Sequence, residues 1–347
     1  MVLTEADVRE ALKQVKFPGL TRDIVSFGFV RRVAVVGDRV EAEIVLTTAN
    51  AAAAAQVERE ARAVLEALPD VHAVTLECRS QAPQAAPGMA PTATLLPGVR
   101  HVVAVASGKG GVGKSTVAAN LALALRSAGA RVGLLDADIY GPSQQLMMGC
   151  TDKPRVNDAG KIVPVDGHGV RVMSLGFLMD ADTPVIWRGP MVMKALRQFL
   201  EEVEWGELDV LVVDLPPGTG DAQLTITQMV PLHGAVIVTT PQDVALIDAR
   251  KGLAMFRKVN VPVLGIIENM SVFICPHCGA RNEIFKSGGG RRTAEELGVP
   301  FLGEVPIDPE IVVGGDGGMP IVAARPDSEA GKAFLALAAT VLRRLES

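Results

Sequence analysis

The middle and later parts of the chain alternate short, almost entirely apolar segments with longer segments whose apolar residues recur at helical spacing. Continuous runs of Val, Ile and Leu are typical of strands that are buried on both faces, as in a parallel sheet covered by helices. The predicted strands are residues 101–106, 131–136, 170–175, 210–214, 235–240 and 263–269. The pattern therefore predicts an α/β fold with a mostly parallel sheet.

The first 80 residues show a different, mixed pattern. Thr4 followed by Asp7 is a capping signal, and the apolar residues of 6–15 then have helical spacing. Gly37-Asp38 indicates a hairpin, because both residues tolerate positive φ. The other elements predicted here are strands at 24–36, 40–46 and 73–77 and a helix at 51–68. This part is predicted to be a small α+β domain.

Between these two parts the composition changes to RSQAPQAAPGMAPTATLLPG, in which four prolines alternate with Ala and Gly. Proline interrupts both helices and sheet ladders, so the segment is predicted to be a semi-extended linker. The expected organisation is a small domain at 1–80, a linker at 81–98 and a larger domain at 99–347.

Composition narrows the possible functions. The 347 residues include 34 Lys and Arg against 39 Asp and Glu, a net charge of −5, which argues against a general nucleic-acid binder. No apolar run reaches the roughly 18 residues that span a bilayer, and the charged N-terminal residues do not resemble a signal peptide. A cytoplasmic protein without membrane or nucleic-acid partners is expected. Its four cysteines are then candidates for metal binding, redox work or plain burial.

Residues 107–116, SGKGGVGKST, match the phosphate-loop pattern G-x-x-x-x-G-K-[ST] between a predicted strand and a predicted helix at 117–128. Glycines allow backbone N–H groups to surround phosphate oxygens at a helix N-terminus. Lys114 is expected to reach the β- and γ-phosphates of ATP, and Ser115 to ligate Mg²⁺. The residues expected to hold the nucleotide here are Gly108, Lys109, Gly110, Gly111, Val112, Gly113, Lys114, Ser115 and Thr116.

Polar residues follow three of the predicted strands, at the sheet edge where ligands bind in such folds. Asp136 and Asp138 lie in LLDADIY, and Asp214 lies in LVVDLPPGTGD. A carboxylate at this edge can support Mg²⁺ or orient an attacking water. Asn269, after the last strand, can donate to and accept from an adenine edge.

Cys275-Pro276-His277-Cys278 places two thiols at i and i+3, a spacing that can direct both at one metal. One such pair is half of a four-ligand set. The other half could come from Cys78 and Cys150, or from the same pair in a second copy of the chain. Two pairs would suffice for one 4Fe-4S cluster at a dimer interface; a bridged zinc or a redox dithiol are the alternatives.

GKGGVGK, with Lys109 directly after the first glycine, resembles the signature of the deviant Walker A ATPases. The resemblance implies that Lys109 reaches across a dimer interface to the partner's nucleotide. It also implies that Asp138 activates water and that Asp136 supports Mg²⁺. By the same resemblance Asp214 is the Walker B acid, and Asn269 recognises the base. The implied catalytic residues are Lys109, Lys114 and Asp138.

The order of GKGGVGK, DADIYGPS, WRGPM, DLPPGTGD, ENM and CPHC is similar to the Mrp/ApbC family of iron–sulfur cluster carrier ATPases. The resemblance implies a homodimer that binds a 4Fe-4S cluster, hydrolyses ATP slowly and transfers the cluster to apoproteins. Residues 1–80 resemble a small domain associated with iron–sulfur assembly, which implies docking to partner proteins. The expected partners of the protein are iron–sulfur apoproteins and assembly scaffold proteins. The alternatives are a positioning ATPase of the same superfamily and a nitrogenase-reductase-like electron donor.

Overall fold

The structure of the protein is a computed structural model that describes residues 4–15, 23–26, 28–47, 51–69, 71–81, 95–138, 140–178, 189–275 and 277–346. The chain divides into two compact units, Met1–Thr92 and Ala93–Ser347. Most of the expected linker lies outside the described residues, as do Trp187 and Arg188 of the WRGPM motif.

The N-terminal unit is an α+β unit in which helices cover one three-stranded sheet. Its described elements are α1 (Glu5–Leu12), β1 (Val30–Val36), β2 (Arg39–Thr47), α2 (Ala51–Glu66) and β3 (Ala73–Gln81). β1 pairs with β2 in antiparallel fashion across the expected Gly37-Asp38 turn, whereas β2 and β3 are parallel. The Thr4 hydroxyl accepts the Asp7 N–H at 3.3 Å, and the Asp7 carboxylate accepts the Thr4 N–H at 2.9 Å, so the predicted capping signal is confirmed.

Several boundaries in this unit differ from the prediction. The first strand begins at Val30 rather than at residue 24, because the Asp23 carboxylate accepts the N–H groups of Val25 and Ser26 at 3.0 and 2.7 Å and holds a turn there. β3 continues past residue 77 to Gln81, since the longer β2 offers backbone partners as far as Thr47.

The C-terminal unit has the α/β architecture that the apolar runs predict. Its described elements are β4 (Val99–Ser107), α3 (Lys114–Ser127), β5 (Val132–Asp136), α4 (Gln144–Met147), β6 (Arg155–Val156), β7 (Ile162–Val163), β8 (Val165–Gly167), β9 (Val170–Ser174), α5 (Gly189–Glu201), β10 (Leu208–Asp214), α6 (Asp221–Met229), β11 (Gly234–Thr239), α7 (Asp243–Lys258), β12 (Val263–Glu268), β13 (Phe273–Ile274), β14 (Arg281–Asn282), α8 (Gly289–Leu297), β15 (Phe301–Glu304), α9 (Pro309–Asp316), α10 (Ile321–Ala324) and α11 (Glu329–Leu345). A short 3₁₀ helix follows β9.

Eight of the described strands form one sheet in the order β15-β12-β11-β4-β10-β5-β9-β8. All of its pairings are parallel except that of the edge strand β8 with β9. The six predicted strands all belong to this sheet, so the mostly parallel prediction is confirmed. β8 and β15 escaped prediction because they are three and four residues long.

Helices cover both faces of the sheet, and neighbouring residues of β4 point into different cores. Val103 and Val105 pack with α3 and α11, whereas Val102 and Ala104 pack with α5 and α7. The strands β4, β5, β10, β11 and β12 are buried on both faces along most of their length, which is why their sequences are continuously apolar. Among the described residues, no helix is long and apolar enough to cross a membrane.

Candidate functional site

The phosphate loop joins the carboxyl end of β4 to α3. α3 begins at Lys114, three residues before the predicted start, so Lys114, Ser115 and Thr116 form its first turn. Gly113 precedes the helix at φ +79°, and a β-carbon there would lie 2.2 Å from Asn269 Nδ2. Only glycine fits this position, because both the backbone conformation and the neighbouring amide exclude a side chain. The loop therefore presents a helix N-terminus, with its unpaired N–H groups, at the carboxyl edge of the sheet.

Lys114 is buried between two carboxylates that follow other strands. Its Nζ contacts the Asp214 carboxylate and lies 3.3 Å from Asp138 Oδ2 and 3.2 Å from Ser115 Oγ. Burial lowers the pKa of Lys114, but the attraction of Asp214 and Asp138 outweighs burial and holds the pKa above its usual value. The fold thus brings a lysine, a hydroxyl and two of the predicted carboxylates into one cluster.

Asp136 is fully buried, and its carboxylate organises the loop that follows β5. It accepts backbone N–H groups from Asp138, Ser143 and Gln144 at 2.8 to 3.0 Å and the Ser174 hydroxyl at 2.9 Å. Burial and then the Asp214 charge raise the pKa of Asp136 to about 7. These contacts show that Asp136 orients the segment carrying Asp138; Mg²⁺ support by Asp136 stays a prediction.

Gln144 is a site residue that sequence reasoning missed. Its Nε2 donates to the Ser115 carbonyl at 3.0 Å and to Asp214 Oδ2 at 2.8 Å, and the residue is fully buried. Its Oε1 has no hydrogen-bond partner among the described residues. Gln144 could have been inferred from its position shortly after LLDADIY, because the strand pattern predicts that this loop lies at the carboxyl edge of the sheet.

Lys109 and Asn269 differ in what their side chains contact. The partly exposed Lys109 makes no ion pair with a described residue, and only its carbonyl is engaged, by the Ser107 hydroxyl at 2.9 Å. Asn269 is buried, and its Nδ2 donates to the Val112 carbonyl at 2.9 Å. The Lys109 ammonium group is therefore available to bind a group outside the described residues. The Asn269 side chain touches the loop itself, and its contact with a base stays a prediction.

The cysteine pair lies on a short hairpin formed by β13 and β14. Cys275 N–H donates to the Ala280 carbonyl, and Gly279 N–H donates to the Cys275 carbonyl, both at 2.9 Å. The Cys275 sulfur accepts N–H groups from Cys278 and His277 and the Cys278 thiol, and these bonds lower the pKa of Cys275. Cys275 is half-buried and Cys278 is exposed, and the two thiols lie next to each other at the turn.

The remaining cysteines lie in other surroundings. Cys78 belongs to β3, where burial raises the pKa of its thiol. Cys150 follows α4, and burial raises its pKa to about 11. Among the described residues no three His, Cys, Asp or Glu side chains are grouped so that they could hold a metal, so Cys150 does not complete the set begun by Cys275 and Cys278.

Comparison with known proteins shows the family to which the chain belongs. Residues 98–342 match the family of NUBPL iron-transfer P-loop NTPases, and residues 5–76 match the iron-sulfur cluster assembly protein family. The chain belongs to the NUBPL iron-transfer P-loop NTPase family. It is 49% identical to the iron-sulfur cluster carrier protein of Deinococcus radiodurans, over 95% of this chain and 93% of that protein. It is 46% identical to the carrier protein of Synechocystis, over 97% and 96%.

Solved structures of similar proteins support the P-loop fold assigned to this family member. A nucleotide-binding protein of Archaeoglobus fulgidus in complex with ADP is 39% identical, with a TM-score of 0.59, covering 68% of this chain and 92% of its own. The cell division ATPase MinD of Pyrococcus furiosus is 25% identical, with a TM-score of 0.52, covering 70% and 98%. The resemblance to cluster carrier ATPases and the P-loop NTPase fold are thus both confirmed.

Proposed function

We propose that this protein is an iron–sulfur cluster carrier that binds and slowly hydrolyses ATP, holds a 4Fe-4S cluster between two copies of the chain, and transfers it to apoproteins. The observation that carries the proposal is a single pair of adjacent thiols, Cys275 and Cys278, presented outward on a hairpin. Among the described residues nothing completes a metal site around them. A pair that is exposed and incomplete suits cargo that must be accepted and released.

A second copy of the chain would supply the missing half of the site. Cys275 and Cys278 from each copy make four thiolates, the number that a 4Fe-4S cluster requires. Four exposed apolar side chains lie on segments next to the hairpin: Val244, Ile247, Ile284 and Phe285. Their segments are tied together by the Lys286–Asp243 ion pair at 2.9 Å. Apolar surface of this kind is typical of an interaction face, and we assign it to the homodimer.

The nucleotide site would bind ATP through the α3 N-terminus and Lys114. An incoming triphosphate would compete with Asp214 and Asp138 for the Lys114 ammonium, because phosphate oxygens carry the same charge. Ser115 and Asp214 supply the hard oxygen ligands that Mg²⁺ prefers, in the cluster around Lys114, so these residues fit the ion. When bound, Mg²⁺ would neutralise phosphate charge. In this proposal Asp138 orients the attacking water, and Lys109, which makes no ion pair with a described residue, reaches the partner's nucleotide.

The structure does not favour a positioning ATPase with a C-terminal membrane-binding helix. The apolar residues Phe334, Leu337 and Val341 of α11 are buried in the core that also contains α3. A helix that packs its apolar face inside the unit has no such face left for a lipid surface.

The N-terminal unit is assigned to docking of scaffold or recipient proteins. The cytoplasm is the proposed location, because a reducing compartment keeps the ligand thiols free.

The decisive experiment is anaerobic reconstitution with iron and sulfide. Wild type should develop the visible absorption of an iron–sulfur cluster, with about two irons per chain in a dimer if one 4Fe-4S cluster is shared. A Cys275→Ala, Cys278→Ala variant should bind none and should not load a recipient apoprotein. A Cys78→Ala, Cys150→Ala variant is the matched control and should behave as wild type.

Three results would contradict the proposal. Equal iron content in both cysteine variants would remove the hairpin as the site. Purified protein that holds only zinc would favour the zinc-bridged alternative. A monomer that retains a full cluster, measured by light scattering, would show that the second copy is not required.

A further inference from the structure

Glu268, the last residue of β12, is a buried carboxylate with no cationic partner among the described residues. It is fully buried, and both of its oxygens are used by backbone donors. Oε1 accepts the Gly288 N–H at 2.9 Å, and Oε2 accepts the Gly290 N–H. A buried carboxylate is costly unless it is hydrogen-bonded, and here the N-terminus of α8 supplies both N–H groups and a favourable dipole. Glu268 therefore holds the start of α8 against the end of β12.

The sequence around Gly288-Gly289-Gly290 reflects this close approach. A β-carbon at Gly290 would lie 3.0 Å from Glu268 Cβ, and one at Gly289 would lie 2.7 Å from the Pro241 carbonyl oxygen. The absence of side chains lets the helix N-terminus reach the carboxylate. The glycine run and the glutamate are thus parts of one contact.

This contact closes the segment that carries the cysteine pair. The chain leaves β12 at Glu268, forms the β13–β14 hairpin with Cys275 and Cys278 at its turn, and returns to Glu268 at Gly288. A second hydrogen bond holds the start of the segment to the residue that follows β15: the Ser271 N–H donates to the Val305 carbonyl at 3.0 Å. These hydrogen bonds hold the two ends of the segment, which together form its base. The thiols lie at the turn between them.

The residue after Glu268 connects the same base to the phosphate loop. Asn269 Nδ2 donates to the Val112 carbonyl at 2.9 Å, and only five residues, 270–274, separate Asn269 from Cys275. Val112 and the adjoining Gly113 immediately precede α3, whose N-terminus would bind the phosphates. A shift of this loop on nucleotide binding would be passed to Asn269 and hence to the base of the hairpin.

We propose that Glu268 is a positioning residue that, together with Asn269, couples the nucleotide site to the cysteine pair, so that bound nucleotide changes how firmly the pair holds iron. The coupling rests on the proposed function, because it requires both a nucleotide and an iron cargo. It acts through two side chains on one strand end, one tied to the phosphate loop and the other to the far end of the hairpin segment.

The test compares iron release in the presence and absence of nucleotide. Reconstituted protein is mixed with a chelator, with and without a saturating non-hydrolysable ATP analogue, and the loss of visible absorption is followed. In wild type the two rates should differ by about fivefold or more, the usual size of coupling between sites. Glu268→Gln keeps the size of the side chain but replaces one acceptor by a donor, so this ratio should fall close to one.

Glu304→Gln is the matched control, because Glu304 is the exposed register partner of Glu268 on β15 and should keep the wild-type ratio. Asn269→Ala, assayed at a saturating analogue concentration, breaks the other link and should also lower the ratio, which covers the case of a Glu268 variant that does not fold. Equal rates in wild type, or an unchanged ratio in both test variants, would overturn the coupling while leaving the carrier proposal in place. A wild-type chain that takes up no iron would instead overturn the carrier proposal, and the coupling with it.

Discussion

Five residues of chain separate Asn269, at the phosphate-loop edge of the sheet, from Cys275 on the hairpin, yet the sheet edge and the hairpin are built differently. At the sheet edge Lys114, Asp136, Asp138 and Asp214 are buried and satisfied by one another and by backbone donors. On the hairpin, the turn between two strands of two residues each carries one half-buried and one exposed thiol. The charged groups at the sheet edge are paired mostly with other groups of the same chain, whereas the thiols of the hairpin are at least partly accessible to other molecules.

The difference corresponds to the role that we propose for each site. Phosphoryl transfer depends on charges held in place, so the groups around the nucleotide sit on a close-packed sheet. A cargo site has to meet other proteins, so exposure and a low packing density suit it. If this comparison is correct, substitutions at the sheet edge should change both stability and turnover, whereas those on the hairpin should change ligand chemistry with little effect on the fold.

The largest effect is expected for Lys114→Ala. ATP turnover should fall by roughly 100-fold or more, because the substitution removes the cation that we expect to bind the phosphates. The free energy of unfolding should also fall by about 3 kcal/mol, since Asp138 and Asp214 lose their buried partner. Turnover assays and urea unfolding at pH 7 measure the two quantities.

Lys109→Ala is the matched lysine control for that experiment. Lys109 is partly exposed and unpaired among the described residues, so its loss should change the unfolding free energy by less than about 0.5 kcal/mol. Turnover should nevertheless decrease, because the proposed trans contact is lost. Equal stability losses in the two lysine variants would break the comparison, and unchanged turnover in Lys109→Ala would remove the trans role.

The next prediction concerns the free energy of unfolding after each of two apolar truncations. Leu121→Ala, in the buried face of α3, should lower the free energy of unfolding by about 3 kcal/mol, because it leaves a cavity between the sheet and α11. Ile274→Ala, on the half-buried hairpin, should lower it by less than about 1 kcal/mol. Urea unfolding measures the free energy of unfolding of both variants. A large loss of stability in Ile274→Ala would show that the hairpin belongs to the core.

The smallest expected effect concerns thiol reactivity in the iron-free protein. Hydrogen bonds lower the pKa of Cys275, whereas burial raises that of Cys150 to about 11. A lowered pKa means that Cys275 becomes a thiolate at lower pH. As the pH is increased, the alkylation rate of Cys275 should therefore rise at a lower pH than that of Cys150. At pH 8 Cys275 should react roughly tenfold faster than Cys150, after allowing for the weaker nucleophilicity of a less basic thiolate. Mass spectrometry of iodoacetamide-treated protein measures both sites, and faster reaction at Cys150 would contradict the assignment.

Much of the nucleotide site could be predicted because its signals are local. A phosphate loop needs glycines, a lysine and a hydroxyl at fixed spacing, and a doubly buried strand needs continuous apolar residues, so Lys114, Ser115, Asp138 and Asp214 could be located from their neighbours in sequence. Gln144 and Glu268 could not be found in this way. Gln144 meets Ser115 and Asp214 across 29 and 70 residues, and Glu268 meets the α8 N-terminus 20 and 22 residues later.

The sequence by itself determined the α/β architecture of the larger unit, the six core strands, the phosphate loop and the spacing of the Cys275 and Cys278 pair. These follow from periodicity and from spacing within a few residues, which depend on local backbone geometry. Only the tertiary structure decided the strand order, the placement of Lys114 between Asp138 and Asp214, and the outward turn of the cysteine hairpin. It alone also revealed the Glu268 contact that closes the hairpin segment. Those features depend on which distant segments pack together, and packing selects among many pairings that the same local pattern allows.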